Sequence, residues 1–419
     1  MNDHAVPVDI DRLMSELREL ATFSSGSEPP PAVTRVVYSP PDVQARDFFE
    51  SRCREAGLRF RVDPIGNMFA TWVGSDPSLP AVATGSHIDA IPHSGMYDGT
   101  VGVLGGLEAI RSLGASGFEP KRNIEVVLIT SEEPTRFGIG CLGSRALSGN
   151  LDASDLRKLV DAKEVLFDQA RTCAGFAGDL ESVRQPAGVY SAWVELHIEQ
   201  GPVLERSDID IGVVSAIAAP ATLTVRVEGQ GGHAGGVLMP DRHDALAAAA
   251  EVILAIEQAA KGHSSDDLVA TVGTLDIHPS AVNSIPAKVT FSIDIRDVRQ
   301  SDRDAAIETI RSSASAIADT RGVVIKVETL HADPPAACDA NVRAAITRAA
   351  ENAGLSHHTM VSRAYHDSLF MSSIAPMGMI FIPCRGGVSH RPDEYSSPEQ
   401  ICRGVTVLAA TLAELANQT

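Results

Sequence analysis

TGSHIDAIPHSGMYDG, residues 84–99, places two histidines and two aspartates in a loop that also holds Gly85, Gly95 and Gly99. The run before it, Pro80 to Thr84, reads as a short buried strand. TVGVLGGLEAIRSLG, residues 100–114, follows with helical spacing. The loop therefore lies at a strand-to-helix crossover, the place where open α/β sheets keep their ligands.

Outward from that loop the same alternation continues. IEVVLIT (124–130) and AWVELHIEQ (192–200) are further buried strands, and strands alternating with helices up to about residue 210 predict a mainly parallel sheet covered by helices. From about 212 the texture changes. TLTVRVEG (222–229) alternates strictly, and DALAAAAEVILAIEQAA is helical. LVATVGTLDI and AKVTFSIDIRD are strands, SDRDAAIETIRSSASAIAD is helical, and VVIKVETLH is a strand. The order β-α-β-β-α-β is that of a ferredoxin-like domain. The α/β texture resumes near 332, with the strand MGMIFIPC (377–384) and a closing helix from Pro398. The expectation is an α/β domain made of residues 1–213 and 331–419, interrupted by an inserted domain, 214–330, with hinges near 212–220 and 327–335.

A chain of 419 residues suits two or three domains. Its formal charge of −19, with no Lys/Arg cluster, argues against nucleic-acid and anionic-membrane partners. The six cysteines are scattered without a C-x-x-C pair, so they are expected to be reduced thiols in a cytoplasmic protein. MNDHAVPVDIDRLMSELREL, at the start, has no apolar leader core and reads as an amphipathic first helix, and no later segment is long enough to span a bilayer.

Three more strand-end loops carry chemistry. TSEEPTRFG (130–138) sets Glu132 beside Glu133, so one carboxylate can bind a metal while its neighbour moves a proton. VELHIEQGPVLE (194–205) carries His197, and GGVSHRPDEYSSPEQ (386–400) carries His390. Each alone is unremarkable: a charged turn, a core histidine, a loop histidine. In a parallel sheet the four ends converge on one edge, and together they form a nitrogen and oxygen donor set suited to Zn²⁺, Mn²⁺ or Co²⁺. Two such ions would need a bridging carboxylate, for which Asp98 is the candidate. Asp89, two residues after His87, could accept the ring's distal N–H. His93 is read as a bystander.

H-x-D followed by Y-D-G, E-E-x-x-R-F, E-L-H-I-E-Q-G-P-V-L-E, G-H-A-G and a late S-H-x-P-x-E resembles the hydantoinase/carbamoylase branch of the dinuclear metallo-aminoacylase and carboxypeptidase superfamily. The resemblance spans nearly the whole chain. It implies one metal on His87, Asp98 and His197 and another on Asp98, Glu133 and His390, with Glu132 as general base. It also implies that the inserted ferredoxin-like domain dimerises. Mn²⁺ is the ion it suggests, while Zn²⁺ and Co²⁺ suit the same donors.

Members of the branch hydrolyse N-carbamoyl amino acids, allantoate or ureidoglycolate. GGHAGGVLMPDRHDA (231–245) departs from the H-A-G-T-T-P-M usual for the first two substrates, and SRAYHDSLFM (362–371) departs from their S-G-A-G-H-D-A. Both stretches, with Pro134 and PMGMIFIPC, are similar to ureidoglycolate amidohydrolases of purine and allantoin catabolism. Tyr365 in place of glycine would narrow the pocket and add a hydroxyl donor beside His366. By the same resemblance Arg296 grips the substrate carboxylate, Asn283 and His233 bond the substrate and polarise its carbonyl, and Gln200 lines the pocket. His233 would reach the active site of a partner subunit. The rivals are the same chemistry on allantoate or an N-carbamoyl-L-amino acid and, in another class, a catalytically dead binding or structural dimer, which the complete set of ligands and base disfavours.

Overall fold

The computed structural model describes residues 7–418. The first helix runs Ile10–Thr22 and is capped by the Asp9 carboxylate, which accepts from the Arg12 amide. Residues 1–6 of the stretch expected to lead into it lie outside the described residues. The chain divides into two compact units. One comprises the residues up to Ser215, Ala337–Ser362 and those from His366 onward; the other is Ala216–Ala336 with Arg363–Tyr365.

In the first unit four strands form the parallel centre of a nine-stranded sheet: Met377–Ile382, Tyr190–Ile198, Ala81–His87 and Ile124–Ile129, in that spatial order. The flanks correct the expectation of a mainly parallel sheet. Ile211–Ile217 runs antiparallel to Met377–Ile382, Met68–Trp72 antiparallel to Ile124–Ile129, and Arg59–Val62 antiparallel to Met68–Trp72. The last two strands are joined by five residues, too few for the crossover a parallel pair requires. The hinge expected near 212–220 overlaps the paired strand Ile211–Ile217, and the boundary between the two units falls there, after Ser215.

The central strands are buried on both faces, which is why their sequences run apolar rather than alternating. In Tyr190–Ile198, Ala192, Val194, Leu196 and Ile198 join the main core. Helices Thr100–Ala115, Ala340–Asn352 and Pro398–Asn417 supply Leu104, Leu107, Ile346, Val405 and Leu408 to the same core. Trp193, Glu195 and His197 take the opposite face, where the Trp193 indole donates to Ser368 Oγ at 2.7 Å. All four parallel strands point their C-terminal ends to one edge; His87 and His197 are the last and next-to-last residues of theirs, and Glu132, Glu133 and His390 lie in the segments that follow the other two.

The second unit has sheet order Val269–His278, Lys288–Asp297, Ala219–Glu228, Val324–Ala332, every neighbouring pair antiparallel. Helices Ala245–Lys261 and Gln300–Arg321 pack on each other and on the sheet. Val289, Phe291, Ile293 and Ile295 are buried in its core while Thr290, Ser292, Asp294 and Arg296 face away, as strand alternation requires. No helix among the described residues is long and apolar enough to cross a membrane, and none of the six cysteines is in a disulfide.

Candidate metal centre

His87 ends its strand with its ring tautomer set by the backbone. Nδ1–H donates to the Asp89 main-chain oxygen at 3.0 Å, which leaves Nε2 facing Asp98 Oδ1 at 3.6 Å. His197 is arranged alike. Its Nδ1–H donates to the Ile198 carbonyl at 2.9 Å, and Nε2 accepts from the Gly99 amide while lying 3.1 Å from Asp98 Oδ1. In both rings Nδ1 is taken by a backbone oxygen, so Nε2 is the nitrogen turned to Asp98 and, once free of a proton, to a metal. On the other side of Asp98, Oδ2 lies 3.4 Å from His390 Nε2, which is 3.3 Å from Glu133 Oε1.

Two donor groups result, His87/Asp98/His197 and Asp98/Glu133/His390, each with its ligand atoms within 4.8 Å of one another. Donors bound tetrahedrally at about 2.1 Å stand about 3.4 Å apart, so separations of 3.1–3.6 Å around Asp98 fit a divalent ion on each side. Asp98 divides its two oxygens between the groups, as a bridging carboxylate must. Burial raises its pKa, but bonds from His197, His390 and His87 outweigh this and hold the carboxyl well below the usual range. His390 is the exposed member, and its bonds to Asp98 and Glu133 push the imidazole up to about 10 before a cation replaces its proton.

Glu132 lies beside the first group, its Oε2 3.8 Å from His87 Nε2 and its Oε1 3.5 Å from Cys141 Sγ. Burial, then the neighbouring Glu133, Asp367 and Asp98 carboxylates against an opposing His87, raises its pKa well above the ordinary glutamate value. A raised carboxyl beside metal-capable donors is suited to accept a proton and return it. The backbone here is strained: Ser131, Cys141, Gln200 and His390 have φ of 57°, 55°, 54° and 59°, left-handed values unusual outside glycine. Gly99, at φ 65°, has no alternative residue, because a Cβ there would stand 2.5 Å from the His87 ring.

Two site expectations change, for Asp89 and Tyr365. The Asp89 carboxylate is 3.7 Å from His87 Nδ1, too far to take its proton. Its oxygens instead accept the amides of Glu132 and Glu133, at 3.2 and 3.1 Å, so it orients the base loop rather than the ring. Gln200 stands at the centre itself, its amide donating to Asp98 Oδ2 at 2.8 Å. The Tyr365 hydroxyl, expected as a donor beside His366, donates to Asp333 at 3.1 Å and belongs to the second unit.

His366 is buried against the His197 ring, centroids 4.5 Å apart, and joins Glu195 and His197 in a third donor group. His93 is exposed beside Glu28, away from the centre. In the second unit His233 and Asn283 meet: Gly232–His233 pairs with Ser284–Ile285, and the Ala234 amide donates to the Asn283 oxygen at 2.9 Å. The Gly235 amide donates to His233 Nδ1 at 3.1 Å, leaving Nε2–H as the ring's outward donor. Arg296 forks onto Asp294, at 2.7 and 3.1 Å. Sequence reading missed Ser389 and Glu394, although both stand in the S-H-x-P-x-E stretch.

A sequence model of peptidase family M20/M25/M40 matches residues 83–414. The chain is 53% identical to the ureidoglycolate hydrolase of Arabidopsis thaliana over 98% of its own length and 87% of that protein. It is 35% identical to the N-carbamoyl-L-amino-acid amidohydrolase of Paenarthrobacter aurescens, over 97% and 98% of the two chains. The crystal structure of AtUAH in complex with (S)-hydroxyglycine superposes with a TM-score of 0.89 at 52% identity, covering 99% of each chain. A match over most of its length, and relatives at this identity along nearly all of it, make the chain a member of peptidase family M20/M25/M40.

Proposed function

We propose that the chain is a divalent-metal-dependent amidohydrolase that cleaves the ureido group of (S)-ureidoglycolate, yielding glyoxylate, ammonia and CO₂ in purine and allantoin nitrogen catabolism. The observation that carries the chemistry is the Asp98 carboxylate, with His87 and His197 at one oxygen and His390 at the other. The substrate reading rests on likeness to proteins named ureidoglycolate hydrolase at 52–53% identity, against 34–36% for those named for carbamoyl amino acids or allantoate. A structure of AtUAH with glyoxylate matches as well as the one with (S)-hydroxyglycine.

Two ions are the number the paired donor groups suit, Mn²⁺ being the proposed species. When bound they supply an acidified water and Lewis-acid polarisation of the ureido carbonyl. Glu132 takes the proton of the attacking water and returns it to the departing nitrogen. His233 donates Nε2–H to the developing oxyanion, and Arg296 and Asn283 hold the substrate's carboxylate and polar groups. Ammonia leaves first, the carbamate loses CO₂, and the remaining hydroxyglycine splits to glyoxylate and a second ammonia. One water is consumed overall. His233 is proposed to act across a homodimer formed through the inserted unit. The edge strand Val269–His278, with exposed Val269 and Leu275, gives that unit an unpaired margin among the described residues. Six unpaired cysteines suit a reducing cytoplasm.

Product analysis of the Mn²⁺-loaded protein tests the reading. Offered (S)-ureidoglycolate, allantoate and N-carbamoyl-L-amino acids separately, it should release glyoxylate and two ammonia from the first and little from the others. Preferential turnover of either rival substrate refutes the substrate assignment while leaving the metal chemistry.

A further inference from the structure

Glu394 is 2% exposed and reaches across 296 residues of sequence to the loop that carries Asp98. Its Oε1 accepts the amides of Tyr97 and Asp98 at 2.9 and 3.1 Å. Its Oε2 lies 3.0 Å from Ser389 Oγ, which is 2.8 Å from Asp98 Oδ2. The approach depends on residue 95 being glycine, since a Cβ there would stand 2.5 Å from both Cβ and Oε1 of Glu394. We propose that Glu394 is a positioning residue that ties the Asp98 loop to the His390 loop and fixes the rotamer in which Asp98 offers one oxygen to each donor group.

The choice of a carboxylate argues for this role over simple fold maintenance. A glutamine at 394 could accept the same two amides through its single oxygen. Its NH₂ would stand where Oε2 does and donate to Ser389 Oγ, so the hydroxyl's single proton would no longer be shared between residue 394 and Asp98 Oδ2, and that is the branch of the network that reaches the Asp98 side chain. Gln200 completes the arrangement, donating to the same Asp98 Oδ2 and standing 3.3 Å from Ser389 Oγ. Asp98 Oδ2 is thus approached by two neutral donors that fix its direction, while Oδ1 is left to His87 and His197.

The inference rests on the ion-binding reading of the centre, and the experiment keeps the two apart. Mn²⁺ affinity of wild type, Glu394→Gln and Ser389→Ala is measured by competition with a chromogenic chelator, and the melting of each ion-free protein by circular dichroism. A wild-type chain that binds no Mn²⁺ overturns the ion-binding reading itself. Given wild-type binding, Glu394→Gln should melt with the wild type yet bind Mn²⁺ about 10–100-fold more weakly. Ser389→Ala, which keeps the amide clamp, should lose less, and the double variant no more than Glu394→Gln. Wild-type affinity, kcat and KM in Glu394→Gln overturn the proposal, as does a lowered ion-free melting temperature in Glu394→Gln combined with wild-type affinity in Ser389→Ala.

Discussion

Replacing Asp89 by asparagine separates two jobs that a buried carboxylate beside a metal-site histidine could perform. Its Oδ1 and Oδ2 each accept one amide, from Glu132 and from Glu133. Asparagine keeps one acceptor and turns an NH₂ toward the other amide. One hydrogen bond to a charged acceptor is lost and a buried N–H is left facing a donor, about 1.5–3 kcal/mol. At about 1.4 kcal/mol per tenfold, kcat should fall about 10–100-fold if the displaced loop carries the catalytic base. The His87 ring should be indifferent, because the Asp89 main-chain oxygen holds its Nδ1 proton and survives the substitution. The assay is steady-state turnover at saturating Mn²⁺ alongside Mn²⁺ affinity by chelator competition. Burial pushes the Asp89 carboxyl up to about 6, so the wild type should also lose activity below about pH 6, as protonation removes an acceptor; the variant should lack that limb. Weakened Mn²⁺ binding with undiminished kcat at saturation would refute the reasoning and return the carboxylate to the His87 ring.

Glu132→Gln should lower kcat about 100–10,000-fold while Mn²⁺ affinity stays within a few-fold of wild type; full turnover in that variant excludes Glu132 as the base. Cation uptake by chelator-treated protein should tighten as pH rises from 7 to 9, by up to tenfold per unit from His390 alone, since the proton held there with a pKa pushed up to about 10 must leave for an ion to enter. Equal affinity at pH 7 and 9 would contradict this. The sign extends to the ion-free fold: the stabilisation from protonated His390 is fully present below about pH 6.5 and disappears as pH climbs through about 10.

The donor residues were legible because each follows a strong apolar run, and strand ends on one edge of a parallel sheet must converge. The inserted unit was legible because TLTVRVEG and AKVTFSIDIRD alternate strictly, a pattern only a sheet covered on one face produces. Strand direction was not. IGVVSAI, at 211–217, is apolar without alternation, and periodicity carries no sign for parallel or antiparallel pairing. Asp89 was misread because spacing of two from His87 suggested a ring contact, whereas the chain bends so that the main-chain oxygen reaches the ring first. Tyr365 was assigned from its neighbour His366, yet its hydroxyl finds Asp333, 32 residues away in sequence. Glu394 stood in a stretch already singled out for His390, but the amides it accepts lie 296 and 297 residues away, a pairing no local pattern encodes. The resemblance to the carbamoylase branch is borne out by the family match and by the identity to its relatives.

The position of Met377–Ile382 sets an order of assembly. That strand lies between Tyr190–Ile198 and Ile211–Ile217, which are near neighbours in sequence but are held one strand apart in the sheet. A ribosome that has synthesised both must add roughly 160 more residues, including the entire second unit, before the chain segment that fills the slot emerges. Until then two apolar strands present unsatisfied backbone edges to whatever is nearby. His390 is made after the strand that fills the slot, so the proposed donor set is completed by the same late part of the chain that completes the sheet. The interval before closure is when the nascent chain is most exposed to mispairing.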